Sequence, residues 1–162
     1  MIVSDQMMAS VAPNSVELSV KSQYAILALL QLAEQFAEEQ PLQIRQIAAQ
    51  QSIPDRYLEQ LLATLKRQGL VKSLRGARGG YLLAKAPWQI SVWDVIQGIE
   101  GHDLSDDNTR SMMQSNNCAT DVINDVWQSA RLAAINVLRE CTLKDLCDRK
   151  RERQVSTTMY YI

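Results

Sequence analysis

Apolar residues recur along this chain with two different periods, and the changes of period map its elements. Over 18–39, Ala25, Leu29, Leu32 and Phe36 fall on one face at helical spacing, which predicts an amphipathic helix. Residues 42–69 read as two further helices with a tight connection. Ile44, Ile47 and Ala48 mark the first, and Leu58, Leu61, Leu62 and Leu65 form the apolar stripe of the second. Pro54-Asp55 suits the start of that second helix and Gly69 its end. The break at Gln51-Ser52-Ile53 is short enough for a helix-turn-helix. Two β-prone runs follow, Leu70–Leu74 and Gly80–Leu83, around Arg75-Gly76-Ala77-Arg78-Gly79, which is the pattern of a β-hairpin. Helical spacing returns after Ser91, with Val92, Val95, Ile96 and Ile99 on one side and Asp94 in capping-box position. In 119–140, Ile123, Trp127, Ala130, Ala134 and Val137 are spaced by 4, 3, 4 and 3, a heptad seam.

A helix pair followed by a glycine-rich hairpin describes a winged helix. The expected fold class is therefore mainly α with a small β-hairpin wing (α+β), with a long C-terminal dimerisation helix. The expected division is 1–16 as a flexible extension, 17–100 as the winged helix-turn-helix, 101–118 as a loop, 119–141 as the dimerisation helix, and 142–162 as a short helix and tail. A length of 162 residues suits one domain plus such an arm. No apolar run approaches membrane-spanning length, and the N-terminus lacks the basic start and apolar core of a signal peptide. The expectation is a cytoplasmic protein with no membrane partner.

Charge sharpens the functional reading. The chain as a whole carries a net charge of −1, which does not suit indiscriminate coating of nucleic acid. Between Gln60 and Trp93, however, there is no acidic residue, while Lys66, Arg67, Lys72, Arg75, Arg78 and Lys85 are basic. One basic patch on a balanced molecule is the footprint of a specific DNA binder. In the hairpin tip, Gly76 and Gly79 allow tight turning and close approach, and arginine offers a planar charged fork suited to phosphates and narrow minor grooves. Opposite the leucine stripe, Arg56, Glu59, Gln60 and Arg67 form a mix that reaches base edges and phosphates from a major groove. Either element alone would equally suit a solvated surface; their succession is what points to DNA. A heptad seam after such a module favours a homodimer reading a pseudo-palindromic double-stranded site. Paired carboxylates, a phosphate loop opening a helix and a nucleophile–histidine arrangement are all missing, so no enzyme is expected. The second non-enzymatic reading is a winged-helix protein-interaction module, against which the wing arginines argue.

These residues resemble the Rrf-two family of bacterial winged helix-turn-helix regulators. The resemblance rests on Leu18-Ser19-Val20-Lys21 with Tyr24-Ala25, Tyr57-Leu58-Glu59-Gln60-Leu61, Gly69-Leu70-Val71, and the wing Ser73-Leu74-Arg75-Gly76-Ala77-Arg78-Gly79-Gly80-Tyr81-Leu82-Leu83. Ser91-Val92-Trp93-Asp94-Val95-Ile96, Trp127 and Thr142-Leu143-Lys144-Asp145-Leu146 extend it, so it covers about Glu17 to Leu146. The resemblance implies a dimeric transcriptional regulator, of repressor or dual type. It places Tyr57, Glu59 and Gln60 on the recognition helix, and Arg75, with Arg78 beside it, on a wing entering the minor groove. Gln60 suits adenine and Glu59 suits cytosine, while Arg56, Lys66 and Arg67 suit phosphates.

The chain departs from the family in its sensor region. Cluster-binding members carry three cysteines in the loop before the dimerisation helix; here Gly101–Asn117 has none, and only Cys118 matches. The position of a histidine ligand in one branch of the family is Asp121. Cys118 and Asp121 are thus the candidate cluster or redox residues, and together they supply two ligands per subunit. Cys141 lies about 33 Å away if 119–140 is continuous helix. No cofactor is expected. For the thiols the readings are, in order, inert packing, a redox switch at Cys118, and an iron–sulfur cluster on non-standard ligands. His102 reads as a solvated loop residue.

Overall fold

The computed structural model describes residues 18–101 and 118–159; the expected N-terminal extension, most of the sensor-like loop with His102, and the last three residues lie outside the described residues. The chain order is α1 (Val20–Glu34), a 3-10 turn (Phe36–Glu38), α2 (Ile44–Gln51), α3 (Asp55–Arg67), β1 (Val71–Leu74), β2 (Gly80–Leu83), a second 3-10 turn (Pro87–Gln89), α4 (Val92–Glu100), α5 (Cys118–Glu140) and α6 (Leu143–Met159). This is the mainly helical, single-hairpin architecture that the pattern predicts.

Helix α1 is the hub, packing against α2, α3, α4 and α6. Its fully buried Ala25 and Ala28 let neighbouring helices come close, while Leu29 and Leu32 fill the space between them. The helix starts where the Ser19 hydroxyl accepts the Ser22 amide at 3.0 Å. Both the Ser19 and Ser22 hydroxyls also donate to Oε1 of Glu100, tying the start of α1 to the end of α4. The expected helix over 18–39 is shorter than predicted. After Glu34 the chain tightens into the 3-10 turn, and Glu39 takes a left-handed φ of 51° just before Gln40-Pro41. Proline disfavours helical backbone in the residue before it. Phe36 leaves the helix face and meets Trp88 edge-on, ring centroids 5.9 Å apart.

Between α2 and α3, Ser52 turns the chain with a left-handed φ of 54° and Ile53 plugs the core. Leu58, Leu61, Leu62 and Leu65 are all buried, as their spacing predicts. The end of α3 is a Schellman motif. Gly69 has φ +70°, its amide donates to Lys66 O at 3.0 Å, and the Leu70 amide donates to Leu65 O at 3.0 Å. Leu70 is itself buried, which anchors the start of the hairpin.

Strands β1 and β2 pair antiparallel from Val71↔Leu83 to Leu74↔Gly80. A third edge joins them from the α1–α2 connection. The Leu42 amide donates to Tyr81 O at 3.0 Å and the Tyr81 amide to Leu42 O at 2.8 Å. That approach requires glycine at position 80, where a Cβ would lie 2.5 Å from Leu42 O.

At the other end of the domain, Ser91 and Asp94 form the expected capping box, with reciprocal bonds of 3.0 Å to each other's amides. Thr142 and Asp145 repeat the device at α6. The Val92 amide donates to Cys141 O at 2.8 Å and the Leu143 amide to Ile90 O at 3.0 Å, fastening the starts of α4 and α6 together. Helix α6 spans 17 residues, longer than a short helix and tail.

Helix α5 differs from the rest: it packs on α4, yet none of its 23 residues is buried. Ile123, Val126, Trp127 and Val137 are each more than half exposed. With Ala130 they line one side of the helix, about a quarter turn from the face that carries Leu138 against the core.

Candidate nucleic-acid interface

On α3, the residues opposite the leucine stripe are Arg56, Gln60, Ala63 and Arg67, with Glu59 beside them, and all are exposed. They recur at the helical spacing that keeps side chains in one row. Amphipathicity fixes this: four buried leucines leave the opposite side of a 13-residue helix no choice but solvent. An open groove of about 620 Å³ runs along the C-terminal half of this row, lined by Gln60, Ala63, Thr64, Lys66 and Arg67.

The two cations at the C-terminal end are held by neighbouring hydroxyls. Lys66 Nζ donates to Ser73 Oγ on β1 at 2.6 Å, and Arg67 Nη2 to Thr64 Oγ1 at 3.1 Å. The Lys66–Ser73 bond ties the last turn of α3, beside this row, to the first strand of the hairpin. Tyr57 is half-buried, its ring edge-on to Tyr24 of α1 with centroids 5.8 Å apart. It therefore braces α3 against α1 as well as bordering the surface.

The hairpin tip carries Arg75 and Arg78, both exposed, with Lys72 exposed on β1. Gly76 takes φ +110°, and the Gly79 amide closes the turn on Gly76 O at 2.9 Å. A Cβ on Gly79 would lie 2.4 Å from Leu74 O. Glycine is required there for the turn to close, which brings the two arginines to one tip. Two residues of this surface escape sequence reasoning. Ser73 and Thr64 orient cations without any periodic signal.

The thiols fall at the two ends of α5, Cys118 at its start and Cys141 and Cys147 beyond its end. Cys118 is the exposed first residue of α5, and Asp121 is exposed one turn later. Cys141 is half-buried beyond the other end of α5. Cys147 is buried, its Sγ 3.9 Å from Leu30 O; burial, reinforced by nearby Glu34, pushes this thiol above its ordinary range. Among the described residues no three histidine, cysteine or acidic side chains gather into a metal-binding group.

A helix row of base- and phosphate-competent side chains, backed by a glycine-rich basic wing, defines a winged helix-turn-helix DNA-binding transcriptional regulator. Comparison with known proteins makes this specific. The profile of the Rrf2 family, described as an iron-dependent transcriptional regulator, matches residues 18–149, and the chain belongs to this family. Among solved structures, T. potens IscR is similar with TM-score 0.71 and 36% identity, over 86% of this chain and 92% of that one. CymR of B. subtilis, a global cysteine regulator, is similar with TM-score 0.72 and 33% identity, over 83% of this chain and 98% of that one. The HTH-type transcriptional regulator slr0846 of Synechocystis sp. is 48% identical over 84 residues, which span 52% of this chain and 56% of that protein.

The family description implies iron, and the donor set does not fit a cluster held by thiolates. Such clusters need several cysteines within a few ångströms. Here a 23-residue helix, about 35 Å long by its rise, separates Cys118 from Cys141, and Cys147 is packed in the core. Among the described residues, no helix is long and apolar enough to cross a membrane.

Proposed function

We propose that this protein is a homodimeric, sequence-specific transcriptional regulator of repressor or dual type, acting on a pseudo-palindromic double-stranded site. Each recognition helix α3 enters a major groove, with Glu59 and Gln60 at base edges. Each wing lays Arg75 and Arg78 into the flanking minor groove, and Lys66, Arg67 and Lys72 meet phosphates. The observation that carries this reading is the Lys66–Ser73 bond, which ties α3, beside its exposed row, to the first strand of the basic wing. A helix and a wing held at a fixed angle suit neighbouring grooves of one duplex.

The exposed apolar side of α5 supplies the reason for a dimer. A soluble protein rarely leaves Ile123, Val126, Trp127 and Val137 together in water, and a second copy of α5 would cover them. Ala130 and Ala134 at the centre of the row permit close approach.

The double variant Arg75→Ala/Arg78→Ala tests this reading in a mobility-shift titration paired with sedimentation. Specific binding should be lost while the dimer persists. Promoter binding that survives the double change would remove the wing from the account.

A further inference from the structure

We infer that Arg56 reads a guanine in the major groove, and that it belongs with the specificity-determining residues of this protein rather than with its phosphate contacts. The inference deepens the function proposed above and rests on it.

The cations on α3 fall into two kinds. Lys66 and Arg67 stand in the last turn, and each is already held by a hydroxyl, of Ser73 or Thr64. The Lys66 head lies against the wing at Ser73, and the Arg67 head folds back on Thr64 of its own helix. Arg56 is the second residue of α3, exposed at the opposite end. Among the described residues it forms no ion pair or side-chain hydrogen bond, even with Glu59 three positions on. Its planar fork keeps its donors available.

Position decides what such a fork meets. In helix-turn-helix proteins the N-terminal residues of the second helix contact base edges, while the first helix crosses the backbone. Arg56 heads the row Arg56, Gln60, Ala63, and neighbours in such a row stand about 5–6 Å apart at Cβ, one to two base-pair steps. Each member has a chemical match in the groove. Arginine pairs bidentately with guanine O6 and N7, glutamine with adenine N6 and N7, and the alanine methyl packs on a thymine methyl. Glu59, flanking Arg56, accepts from the cytosine amino group of a neighbouring G·C pair. The half-site should therefore carry a guanine one or two base pairs from an adenine. Opposite any other base the Arg56 donors lose partners after being desolvated, and that penalty is the source of discrimination.

The experiment selects half-sites from a randomised duplex library with the full-length protein. It then measures binding of the selected duplex and its single-position variants by fluorescence anisotropy, for the wild type, Arg56→Ala and Arg56→Lys. Wild type should prefer guanine at one position of each half-site, by roughly 5- to 150-fold over the other bases. Arg56→Ala should erase the preference at that position and leave the others intact; Arg56→Lys should weaken it, because a lysine lacks the fork. Equal loss on every duplex, with a shallower dependence on salt, would make Arg56 a phosphate contact and overturn the inference while leaving the proposed function standing. Unchanged binding by Arg56→Ala would overturn it as well. A wild-type protein that selects no sequence would instead refute the proposed function itself. Arg56 is solvent-exposed, so thermal melts of the variants should match wild type.

Discussion

Replacing Gly80 by alanine should detach the wing from the body of the domain. The added Cβ would lie 2.5 Å from Leu42 O and 2.7 Å from Leu42 C, both backbone atoms that no side-chain rotation can move aside. Strand β2 must shift, and the shift breaks the two bonds that Tyr81 exchanges with Leu42 at 3.0 and 2.8 Å. At about 1 kcal/mol for each such bond, the loss is roughly 2 kcal/mol, and residual crowding brings it to about 2–3 kcal/mol. For a chain of this size that is a fall in Tm on the order of 5–10 °C. Gly76→Ala is the matched control. Its φ of +110° strains an alanine, but nothing lies within 4 Å of the new Cβ, so it should cost only about 1–2 kcal/mol. Urea denaturation followed by circular dichroism, at one fixed protein concentration, measures both. Amide exchange should also accelerate at Leu42 and Tyr81 in Gly80→Ala and not in Gly76→Ala. A Gly80→Ala protein within about 0.5 kcal/mol of wild type, with both amides still protected, would refute the reasoning.

Other perturbations test separate parts of the structure. Trp127→Glu should dissociate the dimer in sedimentation equilibrium while each subunit stays folded, since α5 contributes no buried residue to its own domain; an undiminished dimer would move the seam elsewhere. The Thr142 hydroxyl and amide hold the Asp145 carboxyl below its ordinary value, so that cap stabilises α6 above the usual carboxylate range and is lost as pH falls through the depressed value. Thr142→Val should therefore flatten the acid limb of a stability–pH curve; an unchanged limb would show that the cap is not coupled to folding. Exposed Cys118 should react with iodoacetamide at least about 10-fold faster than buried Cys147, as peptide mapping of the alkylated native protein would show. Because burial raises the Cys147 thiol above its ordinary 9.0, its contribution to stability is complete below that pH and declines as pH rises through the raised value. Cys147→Ala should lessen the alkaline loss, and an identical loss in the variant would assign it to other groups.

What could be read from sequence was whatever carried a period or a cap. The leucine stripe of α3, Gly69 at its end, the Ser91–Asp94 box and the hairpin around Arg75–Gly79 all follow from local rules, and each stands where those rules place it. Leu42 could not be read as a strand edge, because a single bridge to Tyr81, 39 positions on, leaves no alternation behind. The Lys66–Ser73 bond crosses from a helix to a strand and has no pattern either. Phe36 fits the helical spacing of α1, yet Pro41 and the contact with Trp88 draw it into a tighter turn. The length of α6 was hidden because only its first turns, around Leu143 and Cys147, are buried, while Arg149 and residues 151–156 face solvent. The heptad in α5 was visible, but its pattern alone does not tell a seam from a face packed on its own domain; the exposure of Trp127 and its neighbours is what supports the dimer proposed above.

The measurement that bears most directly on the central claim is the stoichiometry and salt dependence of binding to a duplex selected by this protein. Two chains should bind per duplex, scrambled DNA should bind at least about 10³-fold more weakly, and affinity should fall steeply as salt rises. One chain per duplex, or equal affinity for selected and scrambled DNA, would contradict the account.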